Sequence, residues 1–285
     1  MIIGKSTFDF TSHTYIMGIL NVSPDSFYDG GRYRGIDAVL ARAEVMIAEG
    51  CDIIDIGGES TRPGHTEIGA AEEIDRVTPV IESLRKHFDT PLSLDTRRAE
   101  TAAAGLAAGT DMINDIEGLR RDERMAAVIA SRVAACCLMH NGCNEELKHD
   151  LIDEVRVGLA ASLELARAAG IADDRIILDP GIGFGKDREE NIAILARLGE
   201  FKSLGFPCLL GASRKSVIGL TLDLPVDERL EGTIVTTVMA VLAGYAFVRV
   251  HDIAANKRAI KMTEEIIRHS SGILESRLGA AWRLV

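Results

Sequence analysis

Asp52-Ile53-Ile54-Asp55-Ile56-Gly57-Gly58-Glu59-Ser60-Thr61-Arg62-Pro63-Gly64 starts as a short apolar run and ends in Gly, Pro and polar residues, and an amphipathic pattern over 70–87 follows it. A brief apolar run bounded by turn-forming residues predicts a buried strand. Apolar residues recurring every three or four positions predict the helix that covers it. The same unit recurs along the chain. Strand patterns fall at 15–20, 52–56, 91–94, 112–113, 133–139, 176–178, 207–210 and 247–250, with helical patterns at 36–49, 70–87, 98–108, 122–130, 151–169, 189–204, 228–243 and 253–268. Eight strand–helix pairs are what a (β/α)8 barrel, the TIM-barrel fold of the α/β class, needs to close, whereas an open doubly wound sheet commonly uses five or six strands. The reading is therefore one barrel domain over 1–285, with no internal repeat or interdomain linker, and with residues 1–15 as a small cap at the barrel floor.

Composition narrows what such a barrel can bind. With 47% hydrophobic and 26% charged residues the chain is globular, and its net charge of -11 argues against nucleic acid or an anionic membrane surface as a partner. An anionic substrate would need a local cluster of cations and backbone N–H groups that reverses the sign of the field in one cleft. The longest uncharged run, 233–248, is shorter than a bilayer span and is interrupted by Thr and Gly. With no basic, apolar leader at the N-terminus, the expected location is the cytoplasm. The five cysteines lack metal-ligand spacing and read as reduced thiols.

In a barrel of this kind, catalytic groups sit on loops at the C-terminal ends of the strands. Polar residues concentrate there at nearly every strand: Asn21-Val22-Ser23-Pro24-Asp25-Ser26-Phe27, the segment quoted above, Asp95-Thr96-Arg97, Asn114-Asp115, Met139-His140, Asp179 to Lys186, Gly211 to Ser216, and Arg249-Val250-His251-Asp252. Asp95 before Thr96-Arg97 would also serve as a helix cap, and Phe184 would also serve as core. Arg62, Arg249 and His251 with Asn21 supply the local reversal of sign. Ser213 and the N-terminal amides of the helix that follows suit a carboxylate.

NVSPDSF (21–27), ESTRPG (59–64), LDPGIGFGK (178–186), ASRKS (212–216) and RVHD (249–252) resemble the dihydropteroate synthase family, in that family's order and over nearly the whole chain. The resemblance implies a transferase of folate biosynthesis. It would condense 6-hydroxymethyl-7,8-dihydropterin pyrophosphate with p-aminobenzoate to 7,8-dihydropteroate and pyrophosphate. It further implies a pterin pocket of Asp95, Asn114, Asp179 and Lys215. A carboxylate at Asp179 would accept the pterin ring N–H and exocyclic amino group in parallel hydrogen bonds, and Lys215 would donate to the ring carbonyl. Asn21, Arg62, Arg249 and His251 would hold the diphosphate, with Asn21 touching a bridging Mg2+. Thr61, Pro63, Phe184 and Ser213 would hold p-aminobenzoate, the subsite for which sulfonamides compete. Asp95, Lys215 and Arg249 are the residues expected to act in catalysis, with pyrophosphate leaving before the aniline attacks and Asp95 facing the resulting pterin cation. Small-molecule substrates and a homodimer complete the expectation.

The chain departs from the family pattern in the compact NGCNEELKHD after His140 and in Glu117, where a small hydroxyl residue is usual. Two alternatives stay open on sequence alone: a catalytically silent pterin-binding paralogue, and the pterin domain of a methyltetrahydrofolate methyltransferase. The second should lack the diphosphate and p-aminobenzoate residues.

Overall fold

The computed structural model describes residues 1–22, 32–59, 67–142 and 150–277, the side chains of 32–34 and 271–277 excepted. Two short strands, β1 (Ile2–Ile3) and β2 (Ser6–Thr7), pair antiparallel. The remaining strands are β3 (Tyr15–Asn21), β4 (Ile53–Gly57), β5 (Leu92–Asp95), β6 (Met112–Asp115), β7 (Ala135–Met139), β8 (Ile176–Asp179), β9 (Leu209–Leu210) and β10 (Phe247–Val250). These eight form one parallel sheet in the order β8-β7-β6-β5-β4-β3-β10-β9. The ring closes where Leu178 bridges Cys208 and its N–H donates to Pro207 O at 3.0 Å. The fold is a TIM barrel, as the count of strand–helix pairs predicts.

Nine helices among the described residues surround the ring: α1 (Arg32–Ala48), α2 (Ala70–His87), α3 (Ala99–Ala108), α4 (Met125–Ser131), α5 (Leu151–Ala168), α6 (Arg188–Ala196), α7 (Ser216–Leu222), α8 (Leu230–Leu242) and α9 (Ile253–Arg277). Two differ from the sequence pattern. The pattern over 189–204 divides, because the chain leaves helical geometry at Arg197 (φ -121°) and continues as a 3-10 turn over Leu198–Leu204 that contains Gly199. The seventh crossover carries an additional helix, α7. Its seven residues are too few for a periodic pattern, and it stops at Asp223, in the left-handed region (φ 56°), just before Leu224-Pro225.

Side chains alternate across each strand, which sorts them between two apolar layers. Ile16, Ile54, Ile56, Leu94, Ile113, Leu138, Leu178 and Val248 face the helices. Met17, Ile53, Met112, Ala135, Ile177, Leu209 and Phe247 form a second cluster inside the barrel's lower half, together with Ile3 and Phe8. Phe8 meets Tyr15 edge-on at 4.8 Å and Phe247 at 5.4 Å between ring centroids. Such aromatic pairs add about 0.5–1.5 kcal/mol each beyond the area they bury. Below, then, the barrel is filled with apolar side chains. Further along, on β4, β5, β6, β8 and β10, the inward positions become polar: Asp55, Asp95, Asn114, Asp179 and Arg249.

Candidate active site

Arg249 on β10 stands at the centre of this polar layer. Its Nε donates to Asp55 Oδ2 at 2.6 Å and its Nη2 to Asp95 Oδ2 at 2.7 Å. Asn114 Nδ2 reaches the same Asp55 oxygen at 3.3 Å. Four strands thus meet through one guanidinium and one carboxylate. Burial is the largest influence on Arg249 and opposes its charge, but Asp55 and Asp95 outweigh it and hold the guanidinium above its ordinary pKa. Asp95 shows the reverse balance: burial first, then the Asp55 charge, carry it up to about 7 against the pull of Arg249. Asp95 is therefore able to exchange a proton near neutral pH.

On the other side of the mouth, Asp179 ends β8. One of its oxygens accepts the Gly181 N–H at 2.7 Å, and burial raises its pKa while Lys215 opposes the rise. Lys215 lies with Nζ 4.1 Å from the centroid of the Phe184 ring and donates to Ile182 O. Burial brings its ammonium down to about 7, with Asp179 the main force the other way. A weakly charged lysine beside a buried carboxylate can change protonation as a ligand's polar edge enters.

The loop between Asp179 and Lys186 is fastened by Lys186, whose Nζ donates to His140 O (3.3 Å), Gly181 O (3.1 Å) and Phe184 O (3.1 Å). A side chain at Gly181 (φ 75°) would collide with the His140 carbonyl, so this position requires glycine by both conformation and space. His140 is buried at the end of β7, where burial and then Lys186 bring its pKa down to about 3 and keep it neutral.

After β9, Arg214 adopts φ 57° and is held on three sides. Thr233 Oγ1 accepts its N–H at 3.0 Å, Arg229 Nη1 donates to its carbonyl at 3.0 Å, and its guanidinium pairs with Asp252 at 2.9 and 2.6 Å. The turn places its neighbours Ser213 and Lys215 at the mouth. Ser213 Oγ lies 2.9 Å from His251 Nδ1 and accepts the His251 backbone N–H at 3.3 Å.

The structure thus joins Asp95 to Arg249, links Asn114 to Arg249 through Asp55, sets Lys215 on Phe184 and ties Ser213 to His251. Asn21 stands exposed at the rim where β3 pairs with Gly57. Thr61, Arg62 and Pro63 lie outside the described residues, as does most of the compact segment after His140. Asp55 carries no role in the sequence reading, which treated it as part of a strand. The alternation Ile53, Asp55, Gly57 against Ile54, Ile56 is the signal that sets it on the inner face with the other polar groups. Asp115 faces away from this layer, accepting the Glu117 and Leu119 N–H groups at 2.9 and 2.7 Å to fix its own turn.

An α/β barrel whose strand ends gather carboxylates, an amide and cations at one mouth has the layout of an enzyme active site. The family model described as pterin binding enzyme matches residues 17–251. A dihydropteroate synthase of Clostridium beijerinckii is 49% identical over 94% of this chain and 100% of its own length. A crystal structure of a Clostridium difficile dihydropteroate synthase in the presence of pteroic acid superposes with a TM-score of 0.89 at 48% identity, covering 92% of this chain and all of that one. A Yersinia pestis dihydropteroate synthase in complex with a sulfonamide drug gives 0.87 at 38% identity, over 94% and 99% of the two chains. The chain belongs to the pterin binding enzyme family and, within it, to the dihydropteroate synthases. It is a transferase.

Proposed function

We propose that this transferase condenses 6-hydroxymethyl-7,8-dihydropterin pyrophosphate with p-aminobenzoate by letting pyrophosphate depart before the aniline nitrogen attacks. The observation that carries the reading is Arg249, a half-buried cation held between Asp55 and Asp95 at the mouth that also holds Asp179 and Lys215. Asp179 would accept the pterin's N–H and amino donors, Lys215 would donate to its carbonyl, and Asn114 and Asp95 would take the remaining edge. As the C–O bond breaks, Arg249 and His251 would stabilise charge gathering on the diphosphate. Ionised Asp95 would stabilise the positive charge left on the pterin methylene. Ser213 and Phe184 would hold p-aminobenzoate, together with Thr61 and Pro63, and Arg62 would add a cation at the diphosphate.

Among the described residues no group of three His, Cys, Asp or Glu side chains could hold a metal ion. The exposed rim amide of Asn21 is a neutral oxygen donor of the kind Mg2+ takes beside diphosphate oxygens and water, and would serve as its protein ligand. When bound, the ion would neutralise diphosphate charge. No helix among the described residues is long and apolar enough to cross a membrane. We also propose a homodimer: α8 and α9, which pack on each other, leave Val235, Leu242, Met262 and Ile266 exposed.

The direct test mixes the protein with the pterin pyrophosphate, p-aminobenzoate and Mg2+ and follows 7,8-dihydropteroate. Product from the native chain and loss of at least about a hundredfold in Arg249→Ala are expected. Pterin pyrophosphate binding with no turnover would point to a silent paralogue instead.

A further inference from the structure

We infer that Asp55 is a positioning residue of this reaction: through one carboxylate oxygen it holds Arg249, on the diphosphate side, in register with Asn114, on the pterin side. The inference rests on the subsites proposed above and adds to them a residue that touches neither half of the substrate. Asp55 is wholly buried, on the inner face of β4 between Ile53 and Gly57. Its Oδ2 accepts from Arg249 Nε at 2.6 Å and from Asn114 Nδ2 at 3.3 Å. Arg249 can turn about its terminal bonds, and Nη2 alone on Asp95 would leave the plane of the guanidinium undetermined. A second contact, at Nε, fixes that plane. Asn114 is set by the same atom, so a shift of Asp55 moves both groups together.

The other oxygen, Oδ1, is buried and receives no hydrogen bond from the protein. A charge whose only service was to the fold would be poorly placed here. Buried ion pairs contribute little net stability relative to apolar packing, and an unused acceptor adds a desolvation penalty. What the carboxylate supplies is orientation and field. Its charge lies beside Asp95, which also faces Arg249, Glu73 on α2 and Lys215 after β9. The Asp55 and Glu73 charges raise the Asp95 pKa, while Arg249 and Lys215 lower it. Removing the Asp55 charge therefore lowers that pKa twice over, directly and by leaving Arg249 to act on Asp95 alone.

The experiment is steady-state kinetics of Asp55→Asn, with thermal melting and a pH profile of kcat. The expected result is a fall in kcat of at least about tenfold, a KM for the pterin pyrophosphate that rises while that for p-aminobenzoate stays within about twofold, and an acid limb displaced to lower pH. Arg249→Lys, which lacks the Nε contact, should make the Asp55 substitution nearly silent, so that the double variant loses little more than the worse single one. Should the amide variant melt too low to assay, Asp55→Glu keeps the charge but displaces it. The same selective rise in KM with an unmoved acid limb is then expected. Equal rises in both KM values, additive losses in the double variant, or full activity in a properly folded Asp55→Asn would each overturn the inference. A native chain that forms no dihydropteroate would instead sink the underlying reading of the site.

Discussion

Asp95 and Lys215, both brought toward neutrality, lie at the same mouth, and in the proposed reaction their protonation would set when the site works. Asp95, carried up to about 7, would have to lose its proton to stabilise a cation, while Lys215, brought down to about 7, would have to keep its proton to donate to a carbonyl. Activity should therefore fall toward both sides of a narrow optimum. Lys215→Arg, which stays charged at every accessible pH, is expected to move the basic limb up by more than about one unit while leaving the acid limb in place. A basic limb unmoved in that variant would show that some other group titrates there. Most of these residues are legible in the sequence, because strand-end position alone marks Asp95, Asn114, Asp179, Lys215 and Arg249 as candidates. Their pKa values are not legible, since burial and neighbouring charge shift them and both are set by strands far apart in the chain. Asp55 was missed for a related reason. An aspartate inside an apolar run looks like a strand residue until the neighbouring strands supply Arg249 and Asn114 as its partners.

At the scale of elements, the barrel needs its loops fastened as much as its strands. The turn over Ser213–Lys215 combines a left-handed Arg214 with an external brace, Arg229, whose guanidinium donates to Arg214 O and to Leu224 O and lies against Gly219, where a side chain would push it aside. A non-glycine residue in that region carries about 1 kcal/mol or more of strain, and the surrounding contacts sustain it. Arg229→Ala should release the Arg214 carbonyl and raise both KM values by about threefold to tenfold, because Ser213 and Lys215 flank the turn. Unchanged KM values in that variant would mean that Thr233 and Asp252 suffice to hold it. The short helix α7, which helps to seat Arg229, was not readable from periodicity, as seven residues give two turns at most. The long helix over Ala70–His87 was readable to the residue, with acidic Glu72 and Glu73 in its first turn and basic Arg85, Lys86 and His87 in its last.

Over the whole molecule, the apolar face on α8 and α9 belongs to the outside of the barrel, away from the layer that lines the mouth. If two copies pair there, sedimentation should give a dimer. Val235→Glu with Met262→Glu, both at exposed positions, should yield a monomer that still melts cooperatively. A dimer that survives both charges would place the interface elsewhere. The sequence by itself determined the number of strand–helix units, the TIM-barrel class and the residues standing at strand ends, because two-residue and 3.6-residue periodicities and turn chemistry are local properties. Tertiary structure alone decided which of those residues meet: Arg249 with Asp55 and Asp95, Lys215 with Phe184, Ser213 with His251. Closing eight strands into a ring brings residues more than a hundred positions apart, such as Asp95 and Arg249, within hydrogen-bonding distance, and no local pattern encodes that separation.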